Sequence, residues 1–407
     1  MNHVVVVGSS LAGLRACETL RTEGFEGTIS LIGAESELPY DRPPLSKKFL
    51  AGDWESDRIR LRKQESFDAL DLSQHLGVAA TALDVPSRTV TCSDGSMVHG
   101  DAVIIATGTA CRRLPNQPSV DGLFELRTLA DAAALRQRLA PEARIVVIGA
   151  GFIGLEVAAT AKQRGCHVTV LEAGPSPLIR ALGVEMGAAV ASVHQRNGVE
   201  LRCGVQIVEI VGDSHVTGVL LGDGQLVPAD VVVVGIGVSP STGWLDGSGL
   251  TIRDGVVCDE TLQAAPAVYA AGDCARWTNR LFGEPLVGEE MRVEHWTNAA
   301  EQGAAAAKNL VAVASGEPPT PYAPVPFFWS DQFESRIQFV GRAHGDDQVH
   351  LFAGSVDGSF AALYGYDGRL RGALGVSMPK MVMPFRALIA ARATWDEAVA
   401  MAGSMLG

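Results

Sequence analysis

Cysteine is scarce in this sequence and follows no motif. Seven cysteines are spread along 407 residues, and no two of them lie within four positions of each other. This spacing excludes a Cys-x-x-Cys redox pair and a cysteine cluster that could hold zinc or an iron–sulfur centre. The nine histidines form no His-Glu-x-x-His or His-x-His pair, so we expect no metal site. Scattered, unpaired cysteines are typical of a reducing compartment, and we predict a cytoplasmic protein.

Long hydrophobic runs and excess positive charge are also missing. No apolar run approaches the ~18–20 residues of a membrane-spanning helix, so we expect no membrane segment. Lys and Arg number 33 against 46 Asp and Glu, and the net charge of −13 disfavours nucleic acid as a partner. Residues 1–3 lead directly into the apolar run of residues 4–7, so we expect no signal peptide. With 47% hydrophobic and 19% charged residues, the composition is that of a globular protein.

Glycine is abundant, with 45 residues, and two glycine-rich loops occur in the same context. The first loop, residues 8–13, follows a β-branched run and precedes a helical pattern. The second loop, residues 149–154, is flanked in the same way. Each unit continues into an apolar strand followed by an acid, Glu35 in the first unit and Glu172 in the second. This repeat predicts two βαβ dinucleotide-binding units.

The residue types of these loops suit a dinucleotide. The first glycine permits the strand-to-helix turn, the second lets the backbone approach a diphosphate, and the third lets helix and strand pack closely. The helix N-terminus offers N–H groups to the phosphates, and the acid accepts hydrogen bonds from ribose hydroxyls. The alternative is a pair of turns that bind nothing, which the repeated context disfavours. The residues predicted to bind nucleotide are Gly8, Ser10 (where a glycine is usual), Leu11, Ala12, Gly13, Gly149, Gly151, Phe152 and Ile153.

Further patterns complete the chain. Apolar strands end in glycine turns at residues 102–108 and 231–237, and in the second of these Gly235, Ile236 and Gly237 are candidate nucleotide contacts. The proline-rich stretch 316–326 predicts a linker. Beyond it, short alternating segments separated by Asp-Gly turns predict an antiparallel meander, followed by a helical tail.

Several motifs together resemble one family. Besides the two loops, they are residues 39–47 (PYDRPPLSK), 106–108 (ATG), 270–273 (AAGD), 292–296 (RVEHW) and 328–332 (FWSDQ). Over essentially its whole length the chain is similar to the FAD-dependent pyridine nucleotide-disulfide oxidoreductase superfamily, in its ferredoxin/rubredoxin/putidaredoxin reductase branch. The resemblance implies an α/β fold with two Rossmann-like dinucleotide-binding domains of the glutathione-reductase type and a C-terminal α+β domain with an antiparallel sheet. The implied domains are a discontinuous FAD-binding domain (1–108 and 242–318), a NAD-binding domain (109–241) and a C-terminal domain (319–407).

The resemblance also implies roles for single residues. The first loop would hold FAD and the second loop the nicotinamide nucleotide. Lys47 would lie near flavin N5 and pair with Glu156, which makes these two residues the catalytic candidates as well as cofactor contacts; the alternative for Lys47 is a solvated lysine at a helix start. Asp273 would contact the ribityl or diphosphate region, and Trp296 would lie beside the isoalloxazine at a helix N-terminus. The remaining implied FAD contacts are Glu35, Arg42, Ala80 and Arg127, and a surface salt bridge is the alternative for either arginine.

The missing cysteine has a functional consequence within this family. Disulfide-reducing relatives need a cysteine beside the flavin, and residues 43–46 contain none. A one-electron carrier protein is therefore the natural acceptor. The implied enzyme is an NADH:ferredoxin oxidoreductase (EC 1.18.1 type) that takes hydride from NADH onto flavin N5 and passes single electrons to a [2Fe–2S] ferredoxin supplying a cytochrome P450 or a ring-hydroxylating oxygenase. Glu172, with no arginine in the next residues, favours NADH over NADPH.

Alternative functions remain open from the sequence. One is a reductase of rubredoxin or of another small acceptor. Another is a non-enzymatic, NADH-sensing flavoprotein that changes shape or partners when it binds the nucleotide. We expect a monomer or a homodimer.

Overall fold

The structure is a computed structural model that describes residues 1–284 and 287–406, and its chain forms two units. Unit 1 comprises Met1–Asp41, Ile59–Ala110 and Ser239–Pro326. Unit 2 comprises Arg42–Arg58, Cys111–Val238 and Phe327–Gly407. Three short elements contain positions at which the chain passes between units, namely Ser56–Ile59, Thr109–Cys111 and Val238–Pro240. No helix in the described ranges is long and apolar enough to cross a membrane.

Unit 1 is built on a six-stranded sheet whose centre is the strand His3–Val7. Its valines are at most 2% exposed, as expected for a β-branched run covered on both faces. Neighbouring strands are parallel except for the first pair in the order. The strand order is Gln263–Ala265, Val268–Ala270, Ala102–Ile105, His3–Val7, Thr28–Gly33 and Leu72–Leu76.

Two helices of unit 1 pack closely against each other. Leu11–Thr22 follows the first loop, and Trp296–Ala314 follows the motif 292–296. A Cβ on Gly303 would lie 2.2 Å from the carbonyl oxygen of Ala12, so this contact requires glycine. The other elements of unit 1 are two three-stranded sheets (Ala80–Asp84, Thr89–Cys92, Met97–His99; and Val256–Cys258, Ala275–Glu284, Gly288–Met291), the helix Gln64–Asp68 and the 3₁₀ turns Gly243–Leu245 and Gly272–Cys274.

Unit 2 repeats this arrangement with a five-stranded parallel sheet. Arg144–Ile148 lies at its centre, paired with His167–Glu172 on one side and Val231–Val234 on the other. The outer strands are Glu200–Cys203 and Leu123–Phe124. The remaining elements are the helices Lys48–Ala51, Leu129–Arg138, Phe152–Gln163 and Ile179–Arg196, the 3₁₀ turn Pro43–Ser46 and an antiparallel sheet of Ile207–Gly212, Val216–Leu221 and Leu226–Pro228.

The C-terminal part of unit 2 is an antiparallel sheet, as predicted, but the prediction of a meander is wrong, because Ser335–Gly341 pairs with Arg369–Val376 and not with the next strand along the chain, Gln348–Gly354. Asp367 and Gly368 both have positive φ, 51° and 67°, as the two-residue turn between the last two strands of the chain requires. The strand order is Phe327–Gln332, Ser335–Gly341, Arg369–Val376, Phe360–Tyr366 and Gln348–Gly354. The helices Pro379–Val382, Pro384–Ala390 and Trp395–Ser404 follow. The parallel sheets and this C-terminal sheet confirm the predicted α/β fold class.

Candidate functional site

The first loop is shaped by two glycines that the backbone itself requires. Gly8 has φ +123°, and a Cβ there would lie 2.1 Å from the carbonyl oxygen of Ala106. A Cβ on Gly13 would lie 1.9 Å from the carbonyl oxygen of Gly8. Ser10 has extended backbone (φ −122°) and makes no side-chain capping bond in the described chain. The N–H groups that open the helix Leu11–Thr22 are therefore available to an anion.

The second loop has the same two constraints and one open position. A Cβ on Gly149 (φ +101°) would lie 2.4 Å from the carbonyl oxygen of Gly235, and one on Gly154 would lie 2.2 Å from that of Gly149. A Cβ on Gly151 would meet no described atom within 4 Å. Packing within the protein does not require glycine at this helix cap, so the open space fits a close approach by a nucleotide diphosphate.

The two acids following the loops have different partners. The Glu35 carboxylate accepts a hydrogen bond from the Tyr40 hydroxyl. The Glu172 carboxylate accepts from two backbone N–H groups, those of Ala150 and Gly174, each at 2.7 Å. Glu172 therefore ties its own strand end to the second loop. A carboxylate oxygen has room for more than one donor, so this arrangement still permits a hydrogen bond from a ribose hydroxyl.

Asp273 and Trp296 lie at the starts of two elements of unit 1. Asp273 is in the turn Gly272–Cys274 and accepts a hydrogen bond from the Thr109 hydroxyl at 3.3 Å. Trp296 is the first residue of its helix, and its indole N–H donates to Asp41 at 2.6 Å. Trp296 therefore begins a helix, as the resemblance implied, and the contacts of Asp273 and Trp296 with FAD stay predictions.

Gln302 was missed in the sequence because an amide in an alanine-rich helix gives no signal. It is fully buried, and its Oε1 accepts the Gly272 N–H at 2.8 Å. That bond fixes the amide orientation and leaves Nε2 without a partner among the described residues. A buried donor without an acceptor carries a cost of about 1–3 kcal/mol. Gln302 therefore holds the turn that carries Asp273 through its carbonyl oxygen, and its buried Nε2 does not border the open space in which a cofactor would lie.

Lys47 and Glu156 form a buried ion pair in unit 2. Lys47 Nζ lies 2.7 Å from Glu156 Oε2, and the two side chains are 17% and 6% exposed. The Ser46 hydroxyl donates to the same oxygen at 2.5 Å. Thr160, one turn after Glu156 on the helix Phe152–Gln163, donates to the backbone carbonyl of Ser46 at 2.8 Å. One helix face therefore holds the turn that carries Lys47.

The Glu156 carboxylate has a further donor that the sequence did not indicate. Ser330, on the strand Phe327–Gln332, donates its hydroxyl to Glu156 Oε1 at 2.6 Å. Both carboxylate oxygens are thus hydrogen-bonded, from segments that are far apart in the sequence. The resulting arrangement offsets the cost of burying the ammonium and the carboxylate.

The other predicted residues lie as follows. Arg42 donates to the backbone carbonyl of Arg127, so unit 2 brings these two together. Ala80 begins a strand of unit 1 and pairs with Cys92. The residues 235–237 directly follow the strand Val231–Val234, and Gly235 approaches the second loop. Phe152 packs edge-on against Phe328, whereas Ile153 is 45% exposed.

The cysteines all lie in the described part of the chain, are spread over both units, and form no disulfide. All seven are free thiols. Cys17, on the helix after the first loop, is buried, and this burial raises its pKa to about 12. A thiol with so high a pKa is a poor nucleophile. Among the described residues, no group of three or more His, Cys, Asp and Glu side chains could hold a metal ion.

Two glycine-rich loops, each between a strand and a helix of separate, mainly parallel sheets, are the arrangement typical of a protein with two dinucleotide sites. Residues 2–303 match the family described as pyridine nucleotide-disulphide oxidoreductase, and residues 327–405 match the reductase C-terminal family. The chain belongs to the pyridine nucleotide-disulphide oxidoreductase family, which confirms the predicted superfamily. This membership confirms the prediction of FAD and a nicotinamide nucleotide as cofactors.

The relatives share nearly the whole chain. Rhodocoxin reductase of Rhodococcus erythropolis is 36% identical over 393 residues, covering 95% of this chain and 89% of the relative. The 5,5′-dehydrodivanillate O-demethylase ferredoxin reductase subunit of a Sphingobium species is 38% identical over 389 residues, covering 95% and 92%. The reductase in a crystal structure of the covalent putidaredoxin reductase–putidaredoxin complex has a TM-score of 0.90 at 34% identity, covering 96% and 93%. These relatives confirm the predicted branch and the prediction of an oxidoreductase.

Proposed function

We propose that this chain is an NADH-dependent ferredoxin reductase that supplies single electrons from FAD to a [2Fe–2S] ferredoxin serving a cytochrome P450 or a ring-hydroxylating oxygenase. The relatives support it, since one is a ferredoxin reductase subunit and another is joined to its redox partner in a crystal. One observation carries most weight. The turn Pro43–Ser46 contains no thiol. Instead, the Ser46 hydroxyl donates to Glu156, and Lys47, the residue after the turn, forms an ion pair with Glu156.

The proposed cofactor sites follow the two loops. FAD and the nicotinamide nucleotide supply the redox chemistry, in which a hydride enters and electrons leave singly. The protein binds and orients them. FAD would be bound by Gly8, Ser10, Leu11, Ala12, Gly13, Glu35, Arg42, Lys47, Ala80, Arg127, Asp273 and Trp296, and the nicotinamide nucleotide by Gly149, Gly151, Phe152, Ile153, Glu156, Glu172, Gly235, Ile236 and Gly237.

The proposed domains remain those of the sequence: 1–108 with 242–318 for FAD, 109–241 for the nicotinamide nucleotide, and 319–407. Passages of the chain between units at residues 110–111 and 238–239 support two of these boundaries. We also propose a cytoplasmic location, which seven free thiols support.

Lys47 and Glu156 are the proposed catalytic pair. The ammonium of Lys47 supplies a fixed positive charge, and Glu156 holds it in one orientation. Glu172 is the proposed determinant of nucleotide choice, because its carboxylate accepts hydroxyl donors and repels a 2′-phosphate.

The test uses the holoenzyme with NADH, a panel of [2Fe–2S] ferredoxins and rubredoxins, and cytochrome c as final electron acceptor. We expect rapid cytochrome c reduction only when a [2Fe–2S] ferredoxin is present. Rapid reduction only with a rubredoxin would replace the proposed acceptor. A long-lived charge-transfer complex with slow turnover for every carrier would favour the NADH-sensing flavoprotein.

A further inference from the structure

Ser330 and Gln332 belong to the motif 328–332, and no role has yet been assigned to either. They are alternate residues of one strand, so their side chains lie on the same face of the sheet. Each is 1% exposed. Ser330 contacts Glu156, and Gln332 Nε2 donates to the Ser330 hydroxyl at 3.1 Å. A hydrogen-bonded chain therefore extends from the Lys47–Glu156 pair into the C-terminal sheet.

The hydrogen-bonded chain of side chains ends at His194, on the helix Ile179–Arg196. Its Nε2 lies 2.8 Å from Gln332 Oε1. His194 is fully buried, and Phe333 packs edge-on against its ring. Its Nδ1 has no hydrogen-bond partner among the described residues. The five side chains in order are Lys47, Glu156, Ser330, Gln332 and His194.

The direction of every hydrogen bond follows from the charge on Glu156. A carboxylate paired with an ammonium only accepts, so the single hydroxyl proton of Ser330 points to Glu156. Ser330 Oγ must then accept from the amide NH₂ of Gln332. The carbonyl oxygen of Gln332 consequently faces His194, which must carry its proton on Nε2.

The environment of His194 agrees with this direction. A neutral ring protonated on Nε2 leaves only a lone pair at the unpartnered Nδ1, whereas a protonated ring would leave a buried donor there. Burial lowers the pKa of His194, although the bond to Gln332 acts in the opposite direction. The neutral form is thus favoured at neutral pH, and the ring can end the chain without a second donor.

We propose that Ser330 and Gln332 are positioning residues that hold the Glu156 carboxylate toward Lys47, and that the tautomer of His194 reports the charge on Glu156. This inference rests on the proposed catalytic role of the Lys47–Glu156 pair. Ser330 acts on the carboxylate, and Gln332 fixes the direction of the Ser330 hydroxyl. His194 fixes the direction of the Gln332 amide.

The first test is the ¹⁵N NMR spectrum of the histidine rings in the holoenzyme, with His194 assigned from its loss in His194→Gln. In the natural sequence we expect the Nε2–H tautomer. In Glu156→Gln, the amide oxygen stays on Lys47 and the amide NH₂ faces Ser330. Within the five side chains, the Ser330 hydroxyl proton then has only Gln332 Oε1 as acceptor, which turns the Gln332 amide and shifts His194 toward Nδ1–H despite the cost of a buried Nδ1 donor. Adding Ser330→Ala to that variant interrupts the hydrogen bonds between position 156 and Gln332. We expect the Nε2–H tautomer of His194 to return.

An Nδ1–H tautomer in the natural sequence would overturn the proposal, and so would an unchanged tautomer in Glu156→Gln. This measurement does not depend on turnover, so it separates the proposal from the proposed function. If Lys47→Met leaves flavin reduction unchanged, the catalytic role of the pair fails while the hydrogen-bonded chain is still tested.

The second test compares Gln332→Met with Gln338→Met. Gln338 lies on the neighbouring strand opposite Trp329, is 8% exposed, and makes no hydrogen bond to the five described side chains. We expect Gln332→Met and Ser330→Ala to slow flavin reduction by NADH by about tenfold, with the Kd for the nucleotide little changed. Gln338→Met should leave the rate unchanged. Equal slowing by both glutamine variants would indicate a merely structural effect and overturn the proposal.

Discussion

The two glycine loops have the same backbone requirements but differ at the middle position. Gly8 and Gly149 both have positive φ and both approach a carbonyl oxygen of a neighbouring turn. At the middle position the first loop has Ser10, and the second has Gly151, where a Cβ would meet nothing within 4 Å. The outer glycines are therefore required by the protein itself. The residue at the middle position is instead selected by the ligand that binds next to the loop.

The helices after the loops differ more strongly. Each has 12 residues, and the residue two positions after the last loop glycine is Arg15 in the first and Glu156 in the second. Arg15 pairs with Glu18 and is 31% exposed. Glu156 is buried and bonded from several segments. Repetition of a nucleotide-binding motif thus leaves room for different chemistry on the same helical turn.

Gly149→Ala would break the feature that the two loops share, and we expect the largest effect here. The new Cβ would collide with backbone atoms, and residue 149 has φ +101°, which strains any residue with a side chain. Neither the backbone nor the new side chain can move to relieve the collision at low cost. We expect a loss of about 3 kcal/mol or more in the free energy of unfolding, measured by chemical denaturation. Gly151→Ala is the matched control and should unfold like the natural sequence. Equal stability of both variants would contradict the comparison.

Lys47→Met tests whether the ion pair with Glu156, on the helix Phe152–Gln163, contributes to flavin reduction. Without its ammonium, Glu156 loses its counter-ion and the site loses a fixed positive charge. We expect stopped-flow reduction of the flavin by NADH to slow about 100-fold. Lys48→Met is the control, because Lys48 pairs with Asp53 at the surface and is 60% exposed. An unchanged rate in Lys47→Met, with FAD retained, would refute the assignment.

Glu172→Gln tests whether Glu172, and not Glu35, determines the choice of nicotinamide nucleotide. The amide no longer repels a 2′-phosphate, but its NH₂ group opposes one of the two backbone N–H groups that the carboxylate accepted. We therefore expect kcat/KM to fall for both nucleotides, and its ratio for NADH over NADPH to fall about tenfold. Glu35→Gln is the control, since Glu35 belongs to the first loop and should leave this ratio unchanged. Equal use of both nucleotides by the natural sequence would remove the proposed role of Glu172.

Gln302→Leu tests the hydrogen bond that holds the turn Gly272–Cys274 near the first loop. The leucine side chain stays apolar in its buried position but removes the acceptor of the Gly272 N–H. We expect the Kd for FAD, measured by flavin fluorescence on the apoprotein, to rise about fivefold. Asn309→Asp is the control on the same helix, because both ends of the Asn309 amide already have protein partners. It should lower the Tm and leave the Kd for FAD unchanged; the reverse pattern would contradict this role.

Ser10→Gly should have the smallest effect. The backbone of Ser10 is extended with negative φ, a conformation that serine adopts without strain. We expect the Kd for FAD to change by less than about twofold. A much tighter binding of FAD would show that the serine side chain obstructs the first loop.

The sequence predicts the parts of this protein that depend on local rules. The buried valine run of His3–Val7, the turn glycines and the Asp-Gly hairpin of residues 360–376 follow from residue type and spacing, whereas the pairing of Ser335–Gly341 with Arg369–Val376 does not. The Lys47–Glu156 pair came only from the family resemblance, because 109 residues separate its members. Ser330 and Gln302 could not be predicted, since their partners are set by packing between distant segments.

The assignment of the segment Arg42–Arg58 to unit 2 limits how this protein can be divided into modules. The segment belongs to unit 2, although the chain on both sides of it belongs to unit 1. A fragment or chimera cut at residues 109–241 would omit Lys47, Ser46 and Ser330, and the helix Phe152–Gln163 would lose the segments that pack on it and bond to Glu156. Transplantation of the second nucleotide module therefore has to include the segment Arg42–Arg58 and the strand Phe327–Gln332.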